Sequence, residues 1–325
     1  MKNKHKNIFF VFGIVLLAIM ATQLDYAEVK RGLSSAGYWF PAVLLLWAAL
    51  YVINTWTWYL IIRCSGRDTK IKFSWLYRIT VSGFAINYAT PGGLMGGEPY
   101  KIFALSPKIG TERATSSVIL FAMTHIFSHF WFWLLSVFLF LVVHPLTPLY
   151  AVLLTVTAVF CMAGIMFFIK GYKKGLAVKA MNLCRHIPGV KKKASEFIEK
   201  NKDKLAEIDQ QIAALHTQDK KTFTLAVLSE LTCRVLSAFE IYFIARVLTP
   251  DITYVDSILI LAFTSLFANL LFFLPLQLGG REGGFMLSGA GLSLPTPTAI
   301  FVALIVRVRE LVWTAIGMLL IKIKD

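Results

Sequence analysis

Asn87-Tyr88-Ala89-Thr90-Pro91-Gly92-Gly93-Leu94-Met95-Gly96-Gly97-Glu98-Pro99-Tyr100-Lys101 interrupts one apolar stretch, and Pro275-Leu276-Gln277-Leu278-Gly279-Gly280-Arg281-Glu282-Gly283-Gly284 interrupts another. An apolar arm from Phe73 to Ala89 leads into the first break, and a return stretch carrying Lys101 and Lys108 leads out of it. The second break lies between an apolar arm ending at Leu274 and a short arm ending at Pro295. Proline stops a helix and glycine lets the backbone turn. Irregular backbone survives at membrane depth only inside protein or beside a wet cavity. Both breaks therefore mark the inside of a helical bundle, and each reads as a re-entrant hairpin.

The rest of the chain supports a membrane setting. Of 325 residues, 57% are hydrophobic and only 16% charged, with a mean hydropathy of +0.66. That leaves too little charge for a water-facing surface and excludes an ordinary soluble domain, a disordered chain and a fibrous repeat. Six apolar stretches are expected to cross fully: 8–24, 38–62, 114–143, 149–169, 222–248 and 298–321. The first follows Lys2, Lys4 and Lys6 like a signal peptide, but no small-residue cleavage site follows, so it reads as a retained span. The 33 Lys and Arg outnumber the 18 Asp and Glu, and 26 of the 33 fall in 1–7, 63–78, 101–113, 170–221 and 322–325. Positive loops face the cytoplasm. Both termini are thus expected on the cytoplasmic side of a bacterial-type inner membrane, and the basic surplus points to anionic or zwitterionic lipid rather than nucleic acid.

Pro275 follows Pro91 by 184 residues, and the same offset carries Gly96 onto Gly280 and Glu98 onto Glu282. The order span, broken hairpin, span occurs over 38–143 and again over 222–321, with the extra span 149–169 and a basic linker 170–221 between. An odd crossing between the halves reverses the second. The expected fold is all-α: six full spans and two re-entrant hairpins in an inverted repeat, with a site at the repeat interface. Two unrelated Gly/Pro kinks are the plainer alternative. The linker reads as a solvated helix, with an amphipathic helix on anionic lipid as the other option.

Charges at membrane depth are functional candidates because burial costs them several kcal/mol. Glu98, Arg281 and Glu282 stand in the breaks, where Gly92, Gly93, Gly97 and Gly279 loosen the backbone. Arg281 can fork onto a phosphate, while Glu98 or Glu282 can hold an ammonium or hydroxyl or exchange a proton. A salt bridge between the two hairpins is the structural alternative. Lys101 is expected to gather anionic lipid at the cytoplasmic mouth, with Asn87 nearby. Glu230 and Arg234 share a helix face, as do Arg307 and Glu310, and both pairs are candidates for internal ion pairs at the site. Glu240 and Arg309 read as glue between helices. His125 and His129 are four apart without a third ligand, so they read as a packing pair. No metal, cofactor or disulfide framework is expected.

At these breaks the chain resembles the transmembrane, flippase-like domain of the lysylphosphatidylglycerol synthase family. The first break is similar to that family's proline-glycine, Gly-Glu-Pro, basic-residue pattern, with Lys101 where Arg is common. Pro275 through Glu282 is similar to its later Pro-Gly-Gly-x-Arg-Glu pattern, with Gln277-Leu278 departing from it. The resemblance covers nearly the whole chain and implies lipid translocation. The soluble aminoacyl-transferase domain of bifunctional members does not follow the last span here, so synthase activity is not expected. The alternatives are a membrane transferase acting on a lipid-linked substrate, or a non-catalytic partner of a separate lipid-modifying enzyme.

Overall fold

The structure is a computed structural model and describes residue 11 and residues 25–64, 71–89, 96–174, 220–270, 284–285, 292 and 294–323. Among these residues the chain is all helical: α1 Tyr26–Ala36, α2 Trp39–Cys64, α3 Phe73–Ala89, α4 Gly97–Ile109, α5 Thr111–Val143, α6 Pro148–Lys174, α7 Lys220–Ala245, α8 Tyr254–Leu270 and α9 Thr296–Lys322. Residues 8–24 apart from Val11, the linker beyond Lys174 and most of the second break lie outside them.

Among the described residues, four helices are long and apolar enough to cross a bilayer: α2, α5, α7 and Pro148–Lys170 of α6. The sixth expected span, α9, has the length at 27 residues but places Arg307, Arg309 and Glu310 mid-helix. Length and apolarity alone therefore do not select it. At 33 residues α5 runs about 50 Å, well beyond a hydrocarbon core of about 30 Å. The chain is a multi-pass membrane protein.

Local sequence sets the element ends. Helix α3 is described as far as Ala89, two residues before Pro91. Gly110 closes α4 and opens α5 at φ 86°, a left-handed conformation that glycine enters without strain. Helix α1 was not legible as an element. Asp25 caps it through Oδ1, which accepts from the Ala27 and Glu28 amides, and Gly32 seats it on Leu304 and Ile305 of α9.

Tertiary contacts cross between the two halves. Helices α2 and α7 run antiparallel, with Trp39 stacked on Phe243, Trp47 Nε1 donating to Glu240 Oε2 at 2.9 Å and Asn54 Nδ2 donating to Cys233 Sγ at 3.1 Å. Helix α3 lies antiparallel to α9, where Ser82 Oγ donates to the Gly317 carbonyl at 2.8 Å. Helix α8 lies antiparallel to α5, where Trp133 Nε1 donates to Ser265 Oγ at 2.9 Å and His144 meets Asp256 at 3.3 Å. Moving Ser82 forward and Gly317 back by the 184 residues separating the two prolines gives Leu266 and Trp133, one residue from the observed Trp133–Ser265 bond. The largest buried cluster joins α2, α3, α4 and α5 around Trp58, Tyr100 and Phe121. Helix α6 turns Val152, Val156, Val159, Met162 and Phe167 outward, an apolar face suited to acyl chains.

Candidate functional site

The Asn87 amide ties the described ends of the first break together. Asn87, near the end of α3, donates from Nδ2 to Glu98 Oε1 at 2.8 Å and accepts at Oδ1 from the Gly97 N–H at 2.7 Å. A donor left open at the start of α4 is thereby capped from the neighbouring helix. The geometry needs glycine at 97: an added Cβ would overlap the Gly83 carbonyl oxygen and come within 2.7 Å of the Asn87 amide. Gly97→Ala should therefore lower stability by about 1–3 kcal/mol, the range for overpacking a tight contact, measurable as a shifted unfolding midpoint in detergent.

Glu98 Oε1 is thus engaged, while Oε2 is buried without a hydrogen-bond partner. Lys101, one turn on, is only 1% exposed, and its Nζ lies 3.8 Å from Glu98 Oε1. Three rings surround that ammonium: Phe84 at 4.7 Å, Phe121 at 5.0 Å and Trp58 at 5.9 Å. Aromatic faces and a carboxylate are what stabilise a desolvated cation. The aliphatic stem runs over Gly83, where a Cβ would meet Lys101 Cε at 2.5 Å. Lys101 is therefore not a lipid collector at the cytoplasmic mouth. It is a core residue, because Gly83 and the rings make a slot for it that the sequence does not display.

Beyond Lys101 the polar interior continues on α5 and α7. His125 Nδ1 lies 2.8 Å from Glu230 Oε2, and Glu230 is 1% exposed. Arg234 donates from Nε to Ser128 Oγ at 2.7 Å and from a terminal nitrogen to the His125 carbonyl at 2.9 Å. Glu230 and Arg234, expected to pair along one helix, each reach across to α5, since the α5–α7 interface supplies partners in better geometry. His125, expected as a packing residue, is a partner of Glu230. The residue types gave no warning of this, because 105 positions separate the two.

A third group ties the halves together. Arg309 forks onto Glu240, Nε to Oε1 at 2.7 Å and a terminal nitrogen to Oε2 at 3.0 Å, and lies 4.0 Å over the Trp47 ring. Glu310 sits 3.6 Å from Arg309 and accepts a short hydrogen bond from the Tyr88 hydroxyl, so the end of α3 is linked to α9. Glu310, expected to pair with Arg307, meets Tyr88 and Arg309, and Arg307 is half-buried on the same helix. Pro91, Gly92, Gly93, Pro275, Gly279, Gly280, Arg281 and Glu282 lie outside the described residues, as does any bridge between the hairpins. Among the described residues no three His, Cys, Asp or Glu side chains converge as a metal site.

Glu98, Asn87 and Lys101 form a glycine-backed, partly satisfied polar cluster at a helix break. Glu230, Arg234 and His125 extend it, all within a chain built of apolar helices. No curated protein and no solved structure matches the chain. A family model described as the lysylphosphatidylglycerol synthase TM region matches residues 8–317, so the chain belongs to that family.

Proposed function

We propose that the protein moves a lipid with a polar headgroup between the two leaflets, its halves acting as an inverted repeat around the breaks. The observation that carries this reading is the Glu98 carboxylate: one oxygen fixed by Asn87, the other buried and without a donor, at the start of a broken helix. A buried acceptor without a donor costs about 1–3 kcal/mol, a cost relieved when a ligand hydroxyl or ammonium arrives. Family membership supports a lipid as the ligand, and the crossed pairing of α3 with α9 and α8 with α5 supports two related halves. In this reading both termini are cytoplasmic, the membrane is a bacterial inner one, and Arg281 and Glu282 present phosphate- and hydroxyl-binding groups from the opposite hairpin.

The test is lipid flip in proteoliposomes, using fluorescent phosphatidylglycerol, phosphatidylethanolamine and an aminoacylated phosphatidylglycerol. Glu98→Gln should slow flip by at least about tenfold, equivalent to about 1.4 kcal/mol of barrier, while folding is retained because Gln can still accept from Asn87. Unchanged flip in Glu98→Gln removes Glu98 from the pathway. Absence of flip by the wild type for all three lipids, with formation of a modified lipid, would favour the transferase.

A further inference from the structure

The offset that carries Pro91 onto Pro275 also carries His125 onto Arg309. Each stands on the last helix of its half, α5 or α9, and each meets a buried carboxylate on α7. Arg309 holds Glu240 by two bonds at 2.7 and 3.0 Å, and His125 lies 2.8 Å from Glu230. Helix α7 is therefore joined to both halves by one basic–acidic contact each. The chemistry of the two joints differs. A guanidinium keeps its charge at every accessible pH, whereas an imidazole changes charge between about pH 5 and about pH 8. The first joint is an ion pair at all times. The second is an ion pair only with a proton on His125 and otherwise a neutral hydrogen bond.

A separate observation marks the His125 joint as incomplete. Glu230 Oε1 is buried without a hydrogen-bond partner, and so is Nδ1 of His129, whose ring lies 5.5 Å from that of His125. The Arg309 joint, by contrast, engages both oxygens of Glu240. Around His125, α7 presents Glu230 and Arg234, with Cys233 beside those two, and α4 presents Lys101 with Glu98 behind it. Helix α3 presents only the Phe84 ring at 6.0 Å, and α5 itself adds His129. Cys161 of α6 packs further along α5 beside Phe132 and Trp133, and Asp256 of α8 pairs with His144 near the far end of α5. On α2 the Trp58 ring stacks on Phe121, and Asn54 donates to Cys233. The two carboxylates Glu98 and Glu230 balance Lys101 and Arg234, so one added proton changes the charge of the whole cluster.

We propose that His125 and Glu230 form a proton-binding joint that couples headgroup movement to a proton, while Arg309–Glu240 is its permanent counterpart. With Nδ1–H donating to Glu230, the proton enters and leaves at Nε2, exchanging with water, and no other bond is made or broken. Protonation locks α5 to α7. Deprotonation weakens that lock, and the first half moves against α7 while α9 stays attached. The inference rests on the inverted-repeat reading and names the coupling ion of the proposed transport.

The experiment is pulsed electron-spin distance measurement without transport. Labels go on Thr111→Cys and Lys221→Cys, at the exposed starts of the parallel helices α5 and α7, in a background with the native cysteines replaced. The protein sits in nanodiscs of phosphatidylethanolamine and phosphatidylglycerol. The expected result is a short distance at about pH 5 and a growing long-distance population at about pH 8, changing by at most about tenfold per pH unit, the limit for one proton. His125→Gln and Glu230→Gln should each keep a mixed distribution that ignores pH, and Arg309→His should create a new pH response between labels on α7 and α9. A wild-type distance independent of pH, or a response that survives in His125→Gln, overturns the joint. Because no lipid movement is read, a titrating joint in a protein that flips no lipid would overturn the lipid-transport reading alone.

Discussion

Arg309→Ala should lower the unfolding free energy by about 3–5 kcal/mol, the cost of stranding a buried carboxylate. Glu240 is 3% exposed and Arg309 5%, so neither charge has water to fall back on. Arg309 also covers the Trp47 ring, whose Nε1 donates to the same carboxylate, so its removal opens the α2–α7–α9 junction at one point. Arg309→Lys should recover only part of the loss, since an ammonium cannot reproduce the forked contact and stacks less well on the indole. Replacing the pair together, as Arg309→Met with Glu240→Leu, should cost far less than Arg309→Ala, because no charge is then left buried alone. Reversible unfolding in mixed micelles reads all three. A loss below about 1 kcal/mol for Arg309→Ala would mean that water reaches Glu240.

Lys101→Ala should be comparably damaging, for two reasons that can be separated. It empties a slot lined by Phe84, Phe121 and Trp58, and it leaves Glu98 without its nearby ammonium. Truncation of a long buried side chain costs about 2–5 kcal/mol through the cavity it leaves. Lys101→Met refills the slot without the charge, so its residual loss reads the ammonium's share, about 2 kcal/mol for a desolvated cation over aromatic faces. Glu98→Gln added to Lys101→Met should cost less than Glu98→Gln in the wild type if the two groups are coupled. Additive losses would show that the 3.8 Å contact contributes nothing and that the rings alone hold the lysine.

Much of the architecture was legible before any coordinates. The spans at 38–62, 114–143, 149–169 and 222–248 correspond to α2, α5, α6 and α7 within a few residues, because long apolar runs have few alternatives in a bilayer. The break at Gly96-Gly97 was legible too, since proline and glycine act on their own backbone. Helix α1 was missed because its 11 residues are polar and depend on an Asp25 cap and on α9 for support. Helix α9 matches the expected stretch 298–321 in extent, and its three mid-helix charges keep it from being selected as a span by length and apolarity alone.

The interior pairings were much less legible. Intramembrane charge singled out Glu98, Glu230, Arg234 and Glu310, but local spacing did not show that Glu230 and Arg234 reach α5 or that Glu310 meets Tyr88. Lys101 shows the same limit: a lysine after a break reads as a surface cation until Gly83 and three rings are seen around it.

By itself the chain's order of residues established a bilayer as solvent, the places where helices run and break, and the family to which the protein belongs. Those properties depend on transfer of apolar segments and on backbone torsions, which are local. Which buried charges meet was decided only in three dimensions. Trp47 with Glu240, Tyr88 with Glu310 and His125 with Glu230 lie 193, 222 and 105 positions apart, and helix packing alone brings them within bonding distance.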